Sequence, residues 1–222
     1  MIRFPYLKMT SMFILLLSAM ISPASAQETI PLPAPKIRGE IMKTLRDRIS
    51  VKGFNPKELS DSEIGEILWA GFGVANKGSG RRTAQSAFNA CEIDQYVLRS
   101  DGVFRYDAEK HALRKIDSGD VRGLVARQAY AETAPVHIIY VADYDRARKV
   151  YPRSYEEEMK NWANMHTGFI AQNVVLYCSS KGMSAVVRSC GGDSLRKALH
   201  LEDHQEIIIS QAVGYAPDGY RR

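Results

Sequence analysis

The stretch from Tyr155 to Lys181 sets the problem that the rest of the chain has to solve. It carries Met159, Trp162, Met165, Phe169, Ile170, Val174, Leu176 and Tyr177 at helical spacing, and over its second half it is apolar on nearly every side before Gly182. A helix of that kind is unfavourable wherever it meets water, so it has to be buried. Its apolar surface exceeds what one small sheet can cover, which leads us to expect a second copy of the chain against it.

The covering material is legible nearby. Val136 to Ala142 is a nearly continuous apolar run of the kind found in strands buried on both faces. Ile93 to Arg99, a turn at Ser100-Asp101-Gly102, Val103 to Asp107 and a return strand at Ala112 to Ile116 read as a β-hairpin region. Met183 to Val187 and Glu206 to Val213 are the last strands, with a helix at Ser194 to Leu199 between them. Helices are expected at Lys36 to Ile49, where Ile37, Ile41, Leu45 and Ile49 recur every fourth residue, and at Asp120 to Ala131. Another starts at Ser60, where Ser60 and Glu63 form a capping box, Ile64, Ile67, Leu68 and Phe72 make one face, and Gly71 and Gly73 mark the end. Two helices, a hairpin, then alternating helices and strands give an α+β domain with helices packed around a mostly antiparallel sheet.

Residues 1–26 read as a secretory signal peptide. Arg3 and Lys8 precede an apolar run from Ser11 to Ile21, and Ala24-Ser25-Ala26 offers a small-residue cleavage site before Gln27. The run is about half the roughly 20 residues of a membrane span, so a cleaved signal is expected in preference to an anchor, leaving no membrane association. Residues 27–37, with Pro31, Pro33 and Pro35, form an extended Pro-rich leader, and the domain is expected over 38–222. Export places the protein in the periplasm.

Removing the signal lowers the formal charge of +5 by two and leaves the basic residues scattered in short clusters, which suit a small anion better than a nucleic acid. Cys91, Cys178 and Cys190 lack metal-site spacing. Cys178 falls in the apolar helix and reads as a small hydrophobe, while a disulfide between Cys91 and Cys190 would leave one thiol free. Gly71-Phe72-Gly73 follows a helix and lacks the third glycine of a dinucleotide fingerprint. His200 and His204 read as a polar connection into the last strand and not as a metal pair. No nucleophile elbow or phosphate loop is present, so chemistry would belong to a cofactor.

Six stretches, in order, resemble the nitroreductase family over about 46–216. They are Arg48-Ile49-Ser50-Val51-Lys52 with Leu68-Trp69-Ala70; Arg82-Thr83-Ala84-Gln85-Ser86-Ala87-Phe88-Asn89; Gly102 to Asp107; Ala134-Pro135-Val136; Gly168 to Asn173; and Val213-Gly214-Tyr215. The first and third are most similar to the azoline-oxidising, thiazole- and oxazole-forming dehydrogenases of that family. The resemblance implies a dimeric nitroreductase-like fold with flavin mononucleotide held between subunits. Arg48 would then lie toward its phosphate and Lys52 near the ring, with Ser50 between them. Ser86 and Asn89 would come from the other subunit, Ser189 would lie in the loop beside the flavin N5, and Arg221 and Arg222 would reach the phosphate. Read without the resemblance, the same residues are a solvated basic segment, a polar turn and a frayed tail.

The residue types suit the ligand. A phosphate dianion, a hydroxylated chain and a ring that becomes anionic on reduction call for guanidinium, ammonium and short polar donors. Arg48, Ser50 and Lys52 alternate along an extended segment and so share a side. Ile49, Gln85 and Glu92 depart from the family's basic residue and two prolines, and Arg188 to Gly192 match its loop loosely, which touches substrate recognition more than flavin binding. The implied activity is ping-pong transfer between an electron donor and a small-molecule acceptor, a nitroaromatic or quinone, with no indispensable protein acid or base. A dehydrogenase of a peptide or small molecule and a flavin-binding protein without turnover are the other readings.

Overall fold

The computed structural model describes residues 30–125 and 128–220. Residues 30–36 have no regular secondary structure and form a unit apart from the domain that begins at Ile37. The signal-peptide reading of residues 1–26 lies outside the described residues.

The domain opens with α1 (Glu40–Asp47) and α2 (Asp61–Phe72). A two-stranded pair follows, β1 (Val74–Asn76) and β2 (Arg81–Arg82), and then the meander β3 (Ile93–Arg99), β4 (Gly102–Asp107) and β5 (Ala112–Asp117). Next come α3 (Ala129–Glu132), β6 (Val136–Asp143), α4 (Tyr144–Arg148) and the long α5 (Met159–Ser180). The chain closes with β7 (Met183–Arg188), α6 (Asp193–Ala198) and β8 (Gln205–Tyr215). Six strands form one sheet in the order β5-β4-β3-β6-β8-β7, every neighbouring pair antiparallel.

Alternation along the strands divides the core by face. Ile93 and Val97 of β3 and Ile138, Tyr140 and Ala142 of β6 meet Ile64, Ile67 and Leu68 of α2 and Ala163, Ile170, Val174 and Cys178 of α5. Tyr96, Leu98, Ile139 and Val141, one residue out of phase, meet Val125 and the Leu195 and Leu199 side chains around α6. A smaller cluster joins Phe54, Ala131, Ala134, Val186 and Ala212. The Ser60–Glu63 capping box forms as its sequence requires, and Glu63 also accepts a hydrogen bond from the Tyr215 hydroxyl at 2.6 Å, which ties α2 to the end of β8.

Three expectations need correcting. α1 begins at Glu40, after Gly39 at a φ of 78°, and buries none of its residues. The helix expected over Asp120 to Ala131 is a 3-10 turn at Arg122–Leu124 followed by α3. There Asp120 accepts hydrogen bonds from the backbone and guanidinium of Arg122, a local arrangement that competes with helix, and Gly123 weakens the helix further. α5 is covered on one side only, leaving Met165 at 50% and Phe169 at 39% exposure, because the sheet and α2 both lie on its other side. None of the three cysteines is in a disulfide; Cys91 packs on the α5 face and Cys190 on the opposite one. Cys178 is fully buried as expected, and burial pushes its thiol up to about 12.

Gly71 marks where α2 lies closest to its neighbours, since a Cβ there would sit 2.7 Å from the Gln95 Nε2 and 3.0 Å from the Val174 Cγ2. On an exposed helix Gly→Ala stabilises by up to about 1 kcal/mol. Here Gly71→Ala is expected to destabilise by roughly 1–3 kcal/mol through overpacking. Chemical denaturation checks the sign, and a gain in stability would mean that α2 sits further from α5 than the structure has it.

Candidate functional site

The segment after α1 is extended. Val51 (8% exposed) and Phe54 point inward, whereas Ser50 and Lys52 are exposed and Arg48 is half-buried. None of these three polar side chains makes a side-chain hydrogen bond or ion pair among the described residues. The chain just beyond them, at Phe54 and Asn55, is tied down. The Asn55 N–H donates to the Tyr215 carbonyl (3.1 Å), the Thr133 hydroxyl to the Phe54 carbonyl (3.1 Å), and the Asn55 amide to the Asp218 carboxylate (3.0 Å). Gly53, at a φ of 149°, leaves room for the C-terminal segment, because a Cβ there would lie 2.9 Å from the Pro217 Cγ. Arg221 and Arg222 lie outside the described residues, but the chain leading to them rests on this segment.

β7 passes the same cluster, where Val186 joins Phe54, and beyond its last residue exposed Ser189 leads into a loop whose Gly191 and Gly192 have φ values of 145° and 109°. Ser189 thus follows Arg188, which pairs with Ser210, whereas Asn55 bonds to Tyr215 at the other end of β8. Sequence reasoning missed Arg188 as a feature in its own right. Its guanidinium is buried, donates through Nε to the Gln128 Oε1 (3.0 Å), lies 5.7 Å from the Tyr130 ring centre, has no hydrogen-bond partner at Nη1 and forms no ion pair among the described residues. A charged residue closing the apolar run Ala185-Val186-Val187 was the available signal. Burial first, then the charges of Arg188 and Arg122, hold the His137 imidazole down to about 4.

Ser86 and Asn89 stand elsewhere. Ser86 precedes the 3-10 turn Ala87–Asn89 and Asn89 ends it, and Ala87 and Cys91 pack on the α5 face. Phe88, Asn89 and Cys91 have φ values of 52°, 53° and 50°, a left-handed region that is costly for a bulky side chain. The Ser86 hydroxyl accepts from the Cys91 N–H (3.0 Å) and donates to Glu92 (3.1 Å), so its proton is used inside the loop. Asn89 is exposed. Both line an open cleft of about 560 Å³, with Thr83, Gln85, Phe169 and Asn173, that includes none of Arg48, Ser50, Lys52 or Ser189. One chain does not bring the two groups into one cleft.

Beneath the loop lies a polar centre that sequence reading did not reach. Glu92, 1% exposed, meets the Ser86 hydroxyl, the Tyr151 hydroxyl (3.4 Å) and the Nδ1 of His166 (2.5 Å). The Nε2 of His166 accepts from the Ala87 N–H at 3.0 Å, which makes Nδ1 the protonated nitrogen and the donor to Glu92. Burial pushes the Glu92 carboxyl up, but the hydrogen bond from His166, with the backbone and Ser86 bonds, brings it below its ordinary value. The two histidines once paired as a metal alternative go separate ways, His200 to Asp117 and His204 to Asp143 and Asp145.

The family model described as "Nitroreductase family" matches residues 45–215. A solved protein of Ralstonia eutropha that carries the nitroreductase name is 31% identical, covering 86% of this chain and 89% of its own, with a TM-score of 0.74. A protein of Methanocaldococcus jannaschii with the same name is 27% identical over 195 residues, 82% of this chain and 96% of its own. A chain of the Escherichia coli microcin synthetase complex, solved with a truncated pro-microcin bound, has the same fold at 20% identity, covering 87% of this chain and 80% of its own, with a TM-score of 0.68.

The depressed His137 value has a consequence for stability. The fold holds this ring neutral, the unfolded chain takes up a proton near pH 6.5, and so stability present above that pH is lost as pH falls toward 4. The loss amounts to about 3 kcal/mol. His137→Gln is expected to flatten the stability profile between those pH values by an amount of that order. Parallel profiles for the two proteins, measured by urea unfolding, would contradict the assignment.

Proposed function

The chain belongs to the nitroreductase family, and we propose that it is an exported homodimeric oxidoreductase that binds flavin mononucleotide between its subunits. The observation that carries this reading is the run of three polar side chains, Arg48, Ser50 and Lys52, that make no side-chain bond among the described residues, on a segment whose continuation at Phe54 and Asn55 is tied to Thr133 and Tyr215. A guanidinium and an ammonium that meet no carboxylate among the described residues suit a phosphate dianion and a ring that gains negative charge. When bound, flavin supplies hydride transfer through N5. The protein's part is to hold and orient: Arg48 binds the phosphate, Ser50 meets the ribityl hydroxyls, and Lys52 sets the field at the ring edge. Arg221 and Arg222 add charge on the phosphate side.

The second copy of the chain supplies the remainder. Phe88 (53% exposed), Met165 and Phe169 present an apolar surface beside the cleft that holds Ser86 and Asn89, and pairing two copies there covers it. The same pairing brings Asn89 of one copy to the Arg48–Lys52 segment of the other. Electrons pass from a donor to a nitroaromatic, quinone or similar acceptor by a ping-pong sequence. Export would separate the protein from cytoplasmic NAD(P)H, so the reading calls either for a different donor or for a chain that crosses the membrane already folded with its flavin. The fold shared with the microcin synthetase chain favours one second reading, the oxidation of an azoline ring in a peptide.

Arg48→Ala and Lys52→Ala should fail differently. The first removes a charge-assisted bond worth roughly 1.5–3 kcal/mol, or about ten- to a hundredfold in flavin affinity. The second should lower the reduction potential of the bound flavin while changing affinity for the oxidised form less. Flavin and redox titrations of each variant check both. If neither affinity falls by more than about threefold, or under 1 kcal/mol, and no potential shifts, the segment is only a solvated one.

A further inference from the structure

The loop from Ser86 to Cys91 holds three non-glycine residues in left-handed backbone, one of them a phenylalanine, and such a stretch persists only where its surroundings over-determine it. The bonds that do so converge on one buried carboxylate. Glu92 accepts from the Ser86 hydroxyl directly. It also fixes the His166 ring, whose Nε2 accepts from the Ala87 N–H. Through Tyr151 it reaches the aromatic group of Tyr151, Tyr155 and Trp162 on which the Phe88 ring rests, with centroid separations of 5.7–5.8 Å. Arg146 closes the far end by donating to the Cys91 carbonyl at 2.8 Å. Three donors, Ser86 Oγ–H, Tyr151 O–H and His166 Nδ1–H, meet one acceptor-only group. A carboxylate satisfies all of them, whereas an amide in its place would turn one N–H₂ group toward donors.

What the loop displays is Asn89, exposed at the cleft edge, and Phe88 beside it. We infer that Glu92, acting through His166 and Ser86, is a positioning residue for the subunit-bridging half of the flavin site, fixing the turn that presents Asn89 to the cofactor held by the other copy. This rests on the flavin reading above. Ser86 then contributes by holding the loop, since its hydroxyl proton goes to Glu92. The neutral His166 tautomer is part of the device, because a proton on Nε2 would face the Ala87 N–H and break the hold.

The test is a double-mutant cycle on the full chain with Glu92→Gln, Asn89→Ala and the two combined, reading flavin mononucleotide affinity and thermal midpoint for each. If Glu92 acts through the Asn89 turn, Glu92→Gln weakens flavin binding about tenfold and costs less than twofold more when Asn89 is already Ala, while the losses in midpoint add. A merely structural role would lower the midpoint and leave affinity at temperatures well below it within twofold of the parent. That result, or affinity losses that multiply, would overturn the inference. If Glu92→Gln does not fold, His166→Gln enters the same cycle, with the same outcomes. Amide hydrogen exchange of the flavin-free protein gives an independent reading: the Ala87 and Cys91 amides should be protected in the parent and exchange at least tenfold faster in the variant. Protected amides together with a parent chain that binds no flavin would instead sink the flavin reading; unprotected amides would sink the hold on the loop.

Discussion

The packing of α5 against the sheet is the constraint from which the rest of the structure follows. Its inner face, through Ala163, Ile170, Val174 and Cys178, is sealed by β3, β6 and α2 to complete burial. Gly71 lets α2 approach it closely. The same helix sends His166 to Glu92 and so reaches into the loop that carries Asn89, and its outer face, with Met165 and Phe169, stays bare. One helix therefore organises the core, supports half of the proposed site, and leaves the apolar surface that a second copy would cover. Its mixed outer side, where Asn161, Asn164, Gly168 and Gln172 alternate with Met165 and Phe169, suits an interface better than a core.

The candidate site divides along the same line. Arg48, Ser50 and Lys52 lead into the segment where Phe54 clusters with Val186, and Arg188, two residues beyond Val186, is buried with no ion pair among the described residues. Ser86 and Asn89 belong to a cleft on the α5 face. That cleft is also lined by Arg81 and Arg82, so basic residues accompany both groups.

Much of this was legible in the residues. The capping box at Ser60, the hairpin around Gly102 and the apolar run of β6 each carry a local signal strong enough to survive tertiary packing. The alternation of Arg48, Ser50 and Lys52 could be read because Val51 between them turns inward. Other features depended on partners far along the chain. Glu92 was visible only as a departure from a proline, since the His166 that explains it lies 74 residues away. The helix expected at Asp120 gave way to bonds accepted by the Asp120 side chain, and α1 has the period of a buried helix but buries none of its residues. The short pair β1–β2 and the one-turn α4, capped by Asp143, are too brief for any period to announce.

The central claim is that each flavin site is built from the Arg48–Lys52 segment of one copy and the Asn89 loop of another, and subunit mixing tests it most directly. Arg48→Ala and Asn89→Ala chains, each impaired alone, are co-expressed with different tags, and the mixed dimer is isolated and titrated with flavin mononucleotide. In a shared site one of the two positions joins an intact Arg48 to an intact Asn89, so the mixed dimer should bind one flavin with parental affinity and leave the other position weak. If each site lies within a single chain, no position in the mixed dimer is intact. Two weakened sites, each with the affinity of its own parent variant, would contradict the account.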